Sequence, residues 1–240
     1  MNEKELFNDI RQYCIANANE EIVKKYAKYF KEGFDSYGLS TDLYTNKEEQ
    51  LFQNPKINLP LMLKTAPLLL KTGKYEETSF AIMLTNKYSD QFTIETFKEV
   101  EKWFKIGITN WAHTDVLCGK IMKAFFNKKI IALNNLADWR NAENEYQRRA
   151  VPVSMLELLK AKKDFAKRLK FIEPLMMDSE EKVQQGLGWF LREMWKIDRK
   201  LVEEFLIKWK DKSPRVIFQY ATEKMTKEEK EKFRKEKVKK

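Results

Sequence analysis

In the stretch GITNWAHTDVLCG, residues 107–119, Trp111 and Asp115 stand four positions apart, with the chain's single histidine, His113, between them. A carboxylate can stabilise a developing positive charge, and an indole face can lie against a cationic group. On a helix, positions four apart share a face; if Trp111 instead ends the preceding loop, the two still lie close. The alternative is structural, with Trp111 in the core and Asp115 as a first-turn acid or cap. Three further groups invite the same question. KYFKEGFDSYGL carries Tyr29, Phe34 and Gly38; WRNAENEYQRRAVPVS carries Arg148 and Arg149 at the start of a helix; and GLGWFLREMWK sets two glycines before Trp189, with Arg192 on the same face. Singly, Tyr29 and Trp189 read equally as core aromatics, and Arg149 as an ion-pair partner.

Other chemistries find little support. There is no phosphate-cradling P-loop and no dinucleotide-binding glycine fingerprint. A Ser–His or Cys–His nucleophile would need His113, and nothing marks a nucleophile elbow or a partner for it; a surface or capping place near a helix start is expected for this residue. Cys14 and Cys118 are far apart, and with one histidine a Cys/His zinc site is excluded. They are expected as reduced, packed thiols, and no metal or organic cofactor is expected.

The elements that must position these residues read as helices throughout. In EEIVKKYAKYF, Ile22, Val23, Tyr26, Tyr29 and Phe30 mark one face; in TIETFKEVEKWFKIG, Ile94, Phe97, Val100, Trp103 and Phe104 mark another, with Gly107 as C-cap. SMLELLKAKKDFAKRLKFI and EKVQQGLGWFLREMWKI continue the pattern. Only seven glycines and six prolines argue against an all-β chain. Breaks divide the sequence into roughly a dozen helices of about 10–18 residues. Pairs recurring every 35–40 residues or so suit HEAT-like or armadillo-type repeats, and a compact bundle would give the same pattern. The expectation is one all-α helical-repeat solenoid over 1–240, about six helix pairs, curved with a basic concave face.

A formal net charge of +10 favours a polyanionic partner. KAKKDFAKRLK, residues 160–170, holds six positive charges against one negative, and the stretch 223–240 holds nine Lys/Arg against five Glu. This basic C-terminal helix or tail is expected to be solvated and fraying, with an auxiliary contact to nucleic acid as the alternative. The opening MNEKELFNDI has no apolar signal region, and no run of eighteen apolar residues occurs. A soluble, cytoplasmic, monomeric protein without a membrane partner is expected.

Taken in order, Tyr29, W-x3-D at 111–115, QRRA at 147–150 and GWFLRE at 188–193 resemble the AlkD family of DNA alkylation repair enzymes, HEAT-like alkylpurine DNA glycosylases. The similarity runs from about residue 20 to about 215. It implies that Trp111, Trp189 and Tyr29 form an aromatic cleft against the damaged nucleotide and that Asp115 is the catalytic carboxylate. It further implies that Arg149 holds the phosphate beside the lesion, with Arg148 able to exchange roles, and that Arg192 adds a DNA contact. Tyr146 stands where family members carry a tryptophan, and the basic tail lies outside the resemblance.

The implied activity is monofunctional hydrolysis of the N-glycosidic bond of positively charged purines, such as 3-methyladenine and 7-methylguanine, in duplex DNA. Ring alkylation makes the base a cationic leaving group, so no general acid is needed; one carboxylate can stabilise the oxocarbenium-like sugar or orient water. The resemblance also implies that the base is not flipped into a pocket, unlike most base-excising enzymes. The competing readings are a catalytically inactive DNA-binding paralogue and a protein-binding helical-repeat scaffold.

Overall fold

The computed structural model describes residues 1–235. Fourteen α-helices and several short 3-10 turns make up the fold, with no strand among the described residues. The chain is an all-α helical-repeat protein. It divides into two compact units, one spanning Met1–Ile130 and the other running from Ile131.

The first unit holds α1 (Glu3–Ala16), α2 (Glu20–Ala27), α3 (Thr41–Phe52), α4 (Leu59–Leu70), α5 (Tyr75–Lys87), α6 (Ile94–Ile106), α7 (Trp111–Leu117) and α8 (Lys123–Asn127). Asn2 and Glu5 form a reciprocal capping box that starts α1, and Leu6, Ile10 and Cys14, four apart, form its buried stripe. On α6 the buried residues include Phe97, Val100, Trp103 and Phe104, and Gly107 is the C-cap, as the periodicity indicates. Both cysteines are buried thiols.

The α2 face departs from its sequence pattern. The helix stops at Ala27, and Tyr29 and Phe30 lie on tight turns in which their amides donate to the carbonyls of Tyr26 and Ala27, each at 3.0 Å. The following segment returns to the start of α2. Gly38 adopts φ +82°, and a Cβ there would lie 2.1 Å from the Asn19 carbonyl oxygen, so only glycine fits this turn. Glu76 and Glu77, in the first turn of α5, hold the same segment. Glu76 accepts from the Ser36 hydroxyl and the Tyr37, Gly38 and Leu39 amides, while Glu77 accepts from the Tyr37 hydroxyl and pairs with Arg11 at 3.0 Å.

The second unit holds α9 (Glu145–Met155), α10 (Phe165–Ile172), α11 (Glu181–Trp195), α12 (Arg199–Trp209), α13 (Arg215–Ala221) and α14 (Lys227–Glu231). Its core gathers Val151 and Met155 of α9, Leu187, Phe190, Leu191 and Met194 of α11, Val202 and Leu206 of α12, and Ile217 and Phe218 of α13, all buried. Two expectations change here. SMLELLKAKKDFAKRLKFI is not one helix: α9 ends at Met155, and Lys162 and Asp164 take φ +47° and +58° before α10 begins. The described part of the tail is also packed rather than wholly solvated. Phe233 is buried, its carbonyl accepts from Arg215 at 2.8 Å, and Lys232 pairs with Glu203. Residues 236–240 lie outside the described residues.

No helix among the described residues is long and apolar enough to cross a membrane.

Candidate active site

In the first unit the site is built on α7. Asn110 caps the helix, its side-chain oxygen accepting from the His113 amide at 2.8 Å, while its Nδ2 donates to the His113 Nδ1 at 2.7 Å. The His113 Nε2 faces the Tyr75 carbonyl at 3.0 Å and the Ser79 hydroxyl at 3.2 Å. A carbonyl only accepts, so Nε2 carries the proton and Nδ1 is the acceptor. Burial pushes the imidazole down to about 4, with the bond to the Tyr75 carbonyl acting in the opposite direction. His113 is thus neutral near pH 7. It is buried at 2% exposure rather than placed at the surface, and it fixes the cap instead of being one.

This lock sets the orientation of the helix. Ala112, His113 and Thr114 are buried, while Trp111 and Asp115 are half-buried, four apart on one face. The Trp111 indole stacks on the Phe30 ring at 5.6 Å with an 18° tilt, and its Nε1 donates to the Tyr29 carbonyl at 3.4 Å. Tyr29 is 56% exposed, with the Lys28 ammonium 5.1 Å from its ring centre. Tyr29, Trp111 and Asp115 therefore belong to one neighbourhood, with the early end of α2 placing Tyr29 and Phe30. A π-helical turn, Cys118–Met122, joins α7 to α8 directly after this face. Such turns occur frequently at functional sites.

In the second unit, α11 fits between α9 and α13 through its two glycines. A Cβ on Gly188 would lie 2.5 Å from the Tyr220 Cβ and 2.7 Å from the Ile217 carbonyl oxygen, and one on Gly186 would lie 3.1 Å from the Arg149 Cγ. The approach leaves Trp189 half-buried. Trp189 lines a hollow of about 540 Å³ with Leu156, Leu159, Lys160, Lys162, Glu193 and Lys196, in which Lys196 pairs with Glu193 at 2.7 Å and Lys160 with Glu157 at 2.8 Å. An apolar floor beside the Lys162 ammonium suits a sugar–phosphate strand, while a phosphate at Lys160 or Lys196 must compete with Glu157 or Glu193. Lys196 carried no signal in the sequence, since a lone lysine at a helix end is ordinary.

The two neighbouring arginines differ. Arg148 donates to Asp178 through Nε at 2.7 Å and Nη2 at 3.3 Å, and through Nη1 to the carbonyls of Ala142 and Glu143 at 2.7 and 2.9 Å. Four of its five N–H donors are thus taken up within the protein. Arg149 is 5% exposed; its stem packs on Gly186, and Nη1 donates to the Lys182 carbonyl at 2.6 Å. Arg192 pairs with Glu193 at 3.0 Å and also with Glu223, so its charge is balanced by two carboxylates.

The family model of the DNA alkylation repair enzymes matches residues 10–225 of this chain. No curated protein sequence matches it significantly. Among solved structures, a protein from Enterococcus faecalis described as a predicted DNA alkylation repair enzyme superposes with a TM-score of 0.72 at 20% identity, covering 88% of this chain and 98% of its own. That likeness establishes the helical fold. With the sequence model spanning nearly the whole chain, this protein belongs to the DNA alkylation repair enzyme family.

Proposed function

We propose that the protein is a DNA glycosylase that hydrolyses the N-glycosidic bond of positively charged alkylated purines, such as 3-methyladenine and 7-methylguanine, in duplex DNA. Asp115 is the catalytic carboxylate, Trp111, Trp189 and Tyr29 contact the lesion-bearing nucleotide, and Arg149 holds the neighbouring phosphate. Family membership supports DNA as the substrate. The observation that carries the reading is the α7 face. A carboxylate and an aromatic plate, four apart and half-buried, are held by a buried neutral histidine whose ring nitrogens are bonded to Asn110 and the Tyr75 carbonyl.

Charge stabilisation without a general acid is what a cationic leaving base requires. As the glycosidic bond lengthens, its electron pair goes to the base, which leaves neutral. Positive charge then spreads over the sugar, where Asp115 stabilises it until water adds and gives up a proton. An aromatic face favours a cationic nucleotide by roughly 0.5–2 kcal/mol per contact. No pocket for a flipped base is needed, because selectivity rests on the charge and lability of the lesion.

Arg149 is the phosphate ligand in this reading, with Arg148 able to exchange roles; Arg148 pairs with Asp178 and donates to two carbonyls, and Arg149 is buried with Nη1 donating to the Lys182 carbonyl. Arg192 serves as a weaker DNA contact, because a phosphate must compete there with Glu193 and Glu223.

The test compares release of 7-methylguanine and of uracil from otherwise identical duplexes. The reading expects release of the cationic base and none of uracil beyond background; equal excision of both would refute charge-selected departure.

A further inference from the structure

A second cavity lies in the first unit, about 520 Å³ in volume, within the range that holds small organic ligands. Five aromatic residues line it: Tyr26, Phe30, Phe34, Tyr44 and Tyr75. Three of them form a continuous wall, with ring centres of Phe30 and Phe34 at 4.6 Å, Phe34 and Tyr75 at 5.1 Å, and Phe30 and Tyr75 at 5.6 Å. Glu76 also lines the cavity and is 5% exposed.

The carboxylate of Glu76 is held by the Ser36 hydroxyl and by three backbone amides, between 2.7 and 3.1 Å, and forms no ion pair among the described residues. A buried carboxylate is ordinarily paired with a cation. The amides and the N-terminus of α5 offset part of its charge with partial charges, and no whole cation does so. Lys25 is the cationic side chain in the lining; it is exposed and 5.4 Å from the Tyr26 ring centre. Its solvated charge is screened, whereas the Glu76 charge acts through the protein interior.

We infer that this cavity binds a small planar organic cation, through the faces of its aromatic lining and the charge of Glu76. Aromatic faces attract cations through their quadrupoles, and a planar ring adds stacking area to that attraction. The site is separate from the residues assigned to base excision, since none of Asp115, Trp111 and Tyr29 lines it. Phe30 is shared: it lines the cavity and stacks on Trp111.

The probe is 7-methylguanosine in its cationic form, with guanosine as the neutral counterpart, titrated calorimetrically into the full-length protein without DNA. The expected result is a preference of about tenfold or more for the cation, in line with one or two desolvated cation–π contacts. Tyr26→Ala removes an exposed ring without touching the core and is expected to weaken the cation several-fold. Lys25→Ala removes a like charge and is expected to tighten it. Glu76→Gln is expected to abolish the preference, read in parallel with circular dichroism because this side chain also holds residues 36–39. Equal affinity for the two nucleosides, or binding unchanged by Tyr26→Ala and lost on Trp189→Ala, would overturn the assignment.

Discussion

At the scale of single residues, His113 gives the sharpest prediction. Its folded value of about 4 lies below the unfolded value of 6.5, so the neutral form is favoured by folding. The stability this contributes is complete above about pH 6.5 and is lost as the pH falls to about 4, roughly 3 kcal/mol over that interval. His113→Gln cannot titrate. Urea unfolding of both proteins between pH 7 and pH 4 is expected to show a wild-type slope that exceeds that of the variant. Parallel slopes would mean that the imidazole is not held neutral. The sequence displayed Trp111, Asp115 and their spacing, because four-residue periodicity is a local property of the chain. It could not display the burial of His113, because Tyr75 and Ser79, which enclose it, lie more than thirty positions earlier. The ion pair of Arg148 was hidden for the same reason: its partner Asp178 is thirty residues away.

At the scale of elements, the α11 glycines make the argument. Their spacing on either side of Leu187 marks a helix that needs a bare surface, and the neighbours that demand it are Arg149 of α9 and Tyr220 and Ile217 of α13. Gly188→Ala puts a methyl group 2.5 Å from the Tyr220 Cβ and 2.7 Å from a backbone oxygen. The expected loss is about 1–3 kcal/mol in urea denaturation, with α11 displaced and Trp189 with it. Gly119→Ala is the control, since a Cβ there meets nothing within 4 Å; it is expected to be neutral or slightly stabilising. A tolerated Gly188→Ala would contradict the close packing of α11 on α13. Helix existence was legible from periodicity almost everywhere. Helix ends were not, and they matter most here. Apolar spacing runs past Ala27 through Phe30, yet the chain turns, because the Asn19–Tyr37 bond at 2.8 Å and the Glu76 contacts draw the segment back. That turn brings Phe30 under Trp111. The break at 162–164 falls in a lysine-rich run whose apolar residues alone suggested continuity.

At the scale of the whole molecule, an excess of ten positive charges and the lysines beside Trp189 predict a duplex affinity dominated by phosphate contacts. The logarithm of the binding constant should fall linearly with the logarithm of salt concentration, each phosphate neutralised adding about 0.9 to the slope. Lys162→Ala is expected to flatten that slope by about 1 and to weaken damaged and undamaged duplexes alike. An affinity insensitive to salt would instead point to a protein-binding scaffold. Base release should also survive chelators, because the chemistry proposed rests on a carboxylate and the charge of the lesion.

The central claim is that Asp115 performs the chemistry, and the most direct measurement is single-turnover release of 7-methylguanine from a duplex by wild type and Asp115→Asn, with duplex affinity measured alongside. The account predicts release by the wild type, a fall of about 10²–10³ in rate for the variant as expected when one stabiliser of transition-state charge is removed, and duplex binding retained. Release undiminished in Asp115→Asn, or a wild type that binds the duplex and releases nothing, would contradict it.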